Sequence, residues 1–392
     1  MKYIIFTLVS LSLFSIGLGQ NHNHSDCATE ATPNIFDQYN IDSLRNAART
    51  QGMDDFSRNI KLFVKIIRED DGSNGVKVHQ KTVATVNSGA FSTGDLIPSL
   101  YEELQSLADY YASHDICFTF VGHEFIDDSD FASNTDWSGS DPQQDAIFND
   151  LIATYPSPSS NVITAYILPQ DRFFRGRANG IGSKEFVMYA GRFTYPHMAH
   201  EMGHCLNMYH TFETFRGTLV ECPNGSNSSS AGDFVGDTPA DDPAQTSSSV
   251  WSSSPCSYTG GNSTTCSDGV TRNYNPNTDN IMSYAPWTCR DQFTAGQSVR
   301  ARDLFLVPSF SNVLVNNVNL TAPTGSISSG YLFRTAERDI TTQSSSTTTG
   351  MSGSAVLTYT AGESITLRRG FVADPSSSTS YFNASINTLC GN

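Results

Sequence analysis

The chain predicts an α+β protein with an upper lobe of alternating strands and helices, a loop-rich lower lobe and a small all-β module at its end. Three observations carry this. Up to about residue 205, β-branched apolar runs alternate with stretches whose apolar residues recur at helical spacing. After residue 210, Gly, Ser and Cys prevail. Beyond about residue 310 the chain is rich in Ser, Thr and Gly, yet it keeps short apolar triplets such as Ala355-Val356-Leu357 and Ile365-Thr366-Leu367. Those triplets read as strands, with residues 344–353 the least ordered stretch of the module. At 392 residues the chain can hold two or three domains.

Taken in order, Lys2 and the apolar run 3–18, closed by Gly17-Leu18-Gly19, form a signal peptide over residues 1–19. Residues 20–58 are polar, with one amphipathic stretch at 41–48 and no core of their own. The alternation at 60–67 predicts the first strand of the globular unit, which spans 59–309. Leu100, Leu104, Leu107 and Tyr111 lie on one stripe, so 96–111 is predicted helical. Strands follow at 116–121, 162–168 and 185–190, with a shorter helix at 145–155 between the first two. Residues 310–392 form the C-terminal module.

The net charge of −16 and the lack of any basic stripe exclude nucleic acid and anionic membranes as partners. Apart from the signal, no stretch approaches the length needed to span a bilayer. Export makes disulfides the expected state of most of the eight cysteines. Spacing alone does not pair them. Cys205 reads as a packed thiol or as a disulfide partner, with Cys117 one candidate.

His200, Glu201, His204 and His210 carry the chemistry. On a helix, residues four apart share a face, so His200 and His204 can reach one ion while Glu201 points to its open side. A straight helix would carry residue 210 about 9 Å further along its axis, at about 1.5 Å per residue. The chain must therefore turn, and Asn207 stands where a left-handed backbone is needed. Three imidazoles leave one position for water on a catalytic zinc, and Glu201 is placed to take that water's proton. His197, three residues upstream, reads as a surface histidine at the helix start.

Together, HEMGHCLNMYHTF and the downstream NIMSYAPWTCRDQFTAGQ resemble the pappalysin (cytophagalysin) family of metzincin metallopeptidases, over roughly residues 60 to 308. Metzincins carry Gly where this chain has Asn207. The resemblance implies a metzincin-like catalytic domain, with a twisted mixed sheet, long helices above the cleft and a disulfide-stapled lower lobe. It implies zinc-dependent endopeptidase activity on protein or peptide substrates. It also makes Met282 the residue of the methionine turn and Tyr284 a phenol for the tetrahedral intermediate. A secreted metal-containing binding or adhesion protein without turnover is the alternative.

The resemblance further implies the disulfides Cys222–Cys266 and Cys256–Cys289. Gly232 to Ala240 is similar to a family segment in which Asp233, the Val235 carbonyl and Thr238 hold calcium; an acidic surface turn is the plain alternative. Family members that cut before basic residues carry Asp just before the cysteine that follows the methionine turn. Here Thr288 stands there, beside Trp287, so no preference for Arg or Lys is expected on the primed side. Gly176-Arg177-Ala178 is similar to the edge strand that pairs with extended substrate, and otherwise reads as a loop. Residues 20–58 become a pro-segment, in which Cys27 acts either as a thiolate latency switch or as a disulfide partner of Cys390. The C-terminal module has no evident catalytic residues and reads as a spacer, a sorting signal or an adhesive for cell surface or matrix.

Overall fold

The computed structural model describes residues 35–50, 58–85, 91–138, 141–169, 175–214, 220–243, 250–317, 319–323, 325–343, 349–368, 371–375 and 381–386. The expected signal segment, Cys27 and Cys390 lie outside the described residues, as does most of the pro-segment. Its amphipathic stretch forms helix α1 (Ile41–Thr50), and the Arg45 guanidinium grips both carboxylate oxygens of Asp303.

The upper lobe is built on a five-stranded sheet. Strand β1 (Arg58–Arg68) is buried along almost its whole length, as a strand covered on both faces must be. It pairs in parallel with β2 (Ile116–Asp127) on one side and with β3 (Ile163–Leu168) on the other. β5 (Glu185–Tyr189) continues the parallel set beyond β3, and β4 (Gly176–Ala178) closes that edge antiparallel to β5. The order is thus β2-β1-β3-β5-β4.

Two elements differ in extent from the sequence expectation. β2 runs on to Asp127 because a register shift at Leu62/Phe63, opposite Gly122, absorbs one residue and pairing resumes. Polar His123 and Glu124 hid that continuation from a hydrophobic pattern. Helix α2 starts only at Leu100 and ends at Tyr111, because Ser99 caps it in a capping box with Glu102. Leu96–Ile97 instead forms a short ladder with Thr82–Val83.

One face of the sheet packs on α2 and on the motif helix α4 (His197–Cys205), around Leu104, Tyr111, Ile66 and Met202. The other is covered by α3 (Asp141–Thr154), whose Phe148 and Leu151 pack on Tyr166 and Val187. The lower lobe holds two small hairpins, Trp251–Ser253 with Cys256–Tyr258 and Ser263–Thr265 with Thr271–Asn273. Cys222 is bonded to Cys266 and Cys256 to Cys289. Helix α5 (Ala295–Leu304), capped by Thr294 and Gln297, returns the chain to the upper lobe. Phe310 and Val313 then pack into the upper-lobe core.

The C-terminal module is all parallel. β6 (Asn319–Ala322), β8 (Asp339–Thr342) and β10 (Ser364–Thr366) form one sheet. In the other, β9 (Thr349–Ala361) pairs with β7 (Ser326–Ala336), β11 (Phe371–Pro375) and β12 (Tyr381–Ile386). Its central strands are far longer than the apolar triplets alone suggested, because Thr, Ser and Gly carry the ladder on either side of them. Phe63 meets Tyr331 and Phe333 at 5.8 and 5.7 Å between ring centroids. The Tyr381 hydroxyl donates to the His123 carbonyl at 2.7 Å. The module therefore sits towards the β2 side of the sheet, while the histidine motif lies towards the β4 edge.

Candidate metal and catalytic site

Helix α4 is buried from end to end, so every side chain of the motif faces protein. Its C-terminal turn decides where the third imidazole goes. Asn207 has φ +67°, a left-handed backbone. The Asn207 N–H donates to the His204 carbonyl at 3.0 Å and the Met208 N–H to the Gly203 carbonyl at 2.9 Å. These are the paired bonds of a Schellman ending. Buried Arg300 on α5 locks the turn from outside, its Nε donating to the Asn207 carbonyl at 2.6 Å. The sequence reading placed the turn at Asn207 and missed this clamp.

The chain then doubles back and brings His210 level with His200 and His204. The three Nε2 atoms lie 3.1, 3.2 and 3.3 Å apart. The Nδ1 atom of His200 faces the Ile281 carbonyl at 2.7 Å, and that of His204 faces the Met208 carbonyl at 2.9 Å. A proton on each Nδ1 leaves the Nε2 lone pairs turned inward. Burial lowers the pKa of His200 well below its ordinary value and that of His204 to about 4, so both rings are neutral near pH 7. Ligands about 2.0–2.1 Å from a tetrahedral zinc stand about 3.3–3.4 Å apart, so this triangle fits such an ion closely. Among the described residues, no other group of His, Cys, Asp and Glu has this metal-holding geometry.

Met282 is buried against Gly203 of the motif helix, and its carbonyl accepts the Thr211 N–H at 3.2 Å. Asn280 makes the turn: its Oδ1 accepts the Met282 N–H at 2.8 Å, and its amide bonds the Gln297 side chain at 2.9 Å. The NIM and TAGQ segments, remote in sequence, are thereby one structure. Glu201 is fully buried beside His200. A Cβ built on Gly176 of β4 would stand 2.5 Å from Glu201 Oε1, so the edge strand approaches the carboxylate where only glycine fits. The Tyr284 ring lies 5.0 Å from that of His210 and 4.5 Å from that of Phe212.

The remaining candidates are placed as follows. Asp233 and Thr238 are buried, and the Val235 N–H donates to Asp233 Oδ1 at 3.0 Å. Glu221, which the sequence reading did not select, joins them: both its carboxylate oxygens are buried without a hydrogen-bond partner among the described residues. Burial and the nearby Asp233 push its pKa up to about 9. Asp237 of the same segment serves α5, accepting from Thr294 Oγ1 and the Gly296 N–H at 2.7 and 2.8 Å. Thr288 is exposed, and Trp287 is half-buried against Tyr195 at 3.7 Å between ring centroids.

Two expectations are corrected. Cys205 is a free, buried thiol rather than the partner of Cys117, which is itself disulfide-bonded. The helix buries position 205 against the sheet, where Ser183 Oγ lies 3.7 Å from its sulfur. His197 is not at the surface. It is 3% exposed, because Tyr195 and the segment after the methionine turn cover the start of the helix.

The peptidase family described as pregnancy-associated plasma protein-A matches residues 188–305. Among solved structures, the chain is similar to a Tannerella forsythia promirolysin mutant at 14% identity, covering 73% of this chain and 95% of that one, with a TM-score of 0.41. It is also similar to mature mirolysin of Tannerella forsythia in complex with a cleaved peptide, at 15% identity, 66% and 96% coverage and a TM-score of 0.42. No curated protein matches the chain.

Proposed function

We propose that the chain is a secreted zinc endopeptidase of the pappalysin type with Glu201 as its general base, a reading supported by the match of the peptidase family to residues 188–305. The observation that carries this is the convergence of three imidazole nitrogens beside one buried carboxylate. His200, His204 and His210 would hold zinc, which supplies a Lewis acid that activates water and polarises the scissile carbonyl. Glu201 takes a proton from the attacking water and returns it to the leaving amine. The Tyr284 phenol donates to the oxyanion as it forms. Strand β4 offers its outer edge to an extended substrate by strand addition. Exposed Thr288 and the Trp287 indole bring no carboxylate, so Arg and Lys are not favoured after the scissile bond. The test is casein or gelatin hydrolysis by processed protein, repeated with a chelator and with Glu201→Ala. Loss in both treatments is expected; no cleavage by zinc-loaded wild type would instead favour a binding protein without turnover.

Calcium is proposed for the lower lobe, on Asp233, the Val235 carbonyl and Thr238. Buried carboxyl oxygens at Asp233 and Glu221 without hydrogen-bond partners among the described residues support it. Calcium should raise the melting temperature of the wild type and leave that of Asp233→Asn unmoved; equal shifts, or none, overturn it. We also propose cleavage after residue 19, read by N-terminal sequencing, and a pro-segment ending near residue 58. If Cys27 is the latency switch, Cys27→Ala hastens autoactivation; unchanged latency sinks that role. The C-terminal module is proposed as a spacer, sorting or surface-binding unit, and its removal should leave peptide hydrolysis intact. No helix among the described residues is long and apolar enough to cross a membrane.

A further inference from the structure

The N-terminal segment reaches the Asn207 turn through one arginine of α5. Arg300 is buried, and its Nε donates to the Asn207 carbonyl at 2.6 Å. Its guanidinium lies over three rings, 5.0 Å from the centroid of Tyr209, 5.3 Å from that of Phe36 and 5.8 Å from that of Phe234. Tyr209 adjoins His210 in the chain, and Phe234 adjoins Asp233. Phe36 comes from the other end of the sequence: it sits in the short helical turn Ile35–Gln38, just before α1. A cation held against aromatic faces away from water is fixed more firmly than one beside an aliphatic wall. Phe36 thus completes the cage that aims Arg300 at the turn.

A second contact holds the segment in place. Asp303 follows Arg300 by three residues, so the two share a side of α5, and it is 6% exposed. The Arg45 Nε donates to both its carboxylate oxygens at 3.0 Å, and Arg45 Nη2 adds a further bond to the same group. Ion pairs made at several points are among the strongest polar contacts that side chains form. Between the two anchors Tyr39 and Ile41 pack on the upper-lobe core, and Ala48 is buried near the end of α1. These contacts are with α5 and the core. They support the site rather than close it.

We infer that residues 35–50 are a brace of the zinc site, with Phe36 and Arg300 as positioning residues for His210, and that the segment stays docked in the active enzyme. This rests on the zinc-endopeptidase reading and sharpens its account of processing. Cys27 can leave, but residues 35–50 remain, either joined to the chain or bound to α5 after a cut near residue 58.

The test reads metal retention, which needs no turnover. Zinc-loaded full-length protein is challenged with a chelator, and the rate of zinc release is followed. Phe36→Leu keeps an apolar side chain but removes the ring, and should speed release by about threefold to tenfold. Phe36→Tyr should restore the slow rate. Arg300→Met should also speed release, and adding Phe36→Leu to it should change little more, because Phe36 acts through Arg300. Additive effects in the double variant, or wild-type release from Phe36→Leu, overturn the brace. Processed protein is then passed through a sizing column and its components are weighed by intact mass spectrometry. The expected result is a chain that begins at or before residue 35, or a separate peptide containing residues 35–50 that travels with the enzyme. A chain that begins after residue 50, carries no such peptide and releases zinc as slowly as the full-length protein overturns the retained segment. Wild type that holds zinc but cleaves no substrate would refute the peptidase reading, while the release rates still decide the brace.

Discussion

Gly203 of the motif helix lies directly against Met282: a Cβ built on Gly203 would stand 2.5 Å from the methionine sulfur. The two lie seventy-nine positions apart, and both are buried in the same core cluster or beside it. The close approach presses the methionine turn onto the helix that carries His200 and His204. It gives the glycine of the motif a packing reason that helix propensity cannot, since glycine inside a helix is unfavourable. Gly203→Ala is predicted to cost about 1–3 kcal/mol through overpacking and to weaken zinc retention. Chemical denaturation and metal analysis read both effects. Adding Met282→Ala to Gly203→Ala should recover part of the loss, and a purely additive double variant would show that the contact is not the cause.

Gly176 stands against the other half of the machinery. Its missing Cβ leaves room for Glu201 rather than for any histidine. Gly176→Ala is therefore predicted to lower kcat by about tenfold or more by displacing the carboxylate, with zinc content unchanged. If zinc is lost together with activity, the edge strand supports the whole site and not the base alone.

At Asn207 the backbone is left-handed, and both polar atoms of the side-chain amide are buried without a hydrogen-bond partner among the described residues. The backbone geometry, not the amide, is what the site uses. Asn207→Gly should keep zinc and activity, whereas Asn207→Ala should cost about 1–2 kcal/mol from the left-handed strain alone. A β-branched Asn207→Val should be worse. Equal tolerance of all three, in zinc affinity and in melting temperature, would refute the turn as the device that delivers His210.

Much of this was legible because it is local. The helical spacing of His200 and His204 sets their shared face, and the need for a turn before His210 points to Asn207. The strand cores showed in their apolar runs, and the capped start of α2 was written in Ser99 and Glu102, although the apolar stripe drew attention four residues upstream. What was not legible is what the fold brings from afar. Arg300 reaches the Asn207 carbonyl from α5, and Glu221 meets Asp233 across a loop. His197 itself misled because a polar residue at a helix start is ordinarily exposed. No periodicity reports that Tyr195 and Trp287 cover it.

Glu103 carries a pH signature that can be separated from zinc chemistry. It is buried on α2, and burial raises its pKa from 4.5 to about 8. The folded protein therefore holds a proton that the unfolded chain has already released between those two values. The associated stability is fully present below about pH 4.5, falls as pH rises, and is lost once pH passes about 8. Its ceiling is on the order of 4–5 kcal/mol. Glu103→Gln keeps an acceptor for the Thr194 N–H but carries no titrating proton. It should be close to neutral at pH 5 and stabilising at pH 8, by a difference of a few kcal/mol in urea unfolding. An effect of Glu103→Gln that does not change with pH would mean that Glu103 is ionised in the folded protein and held by a partner charge instead.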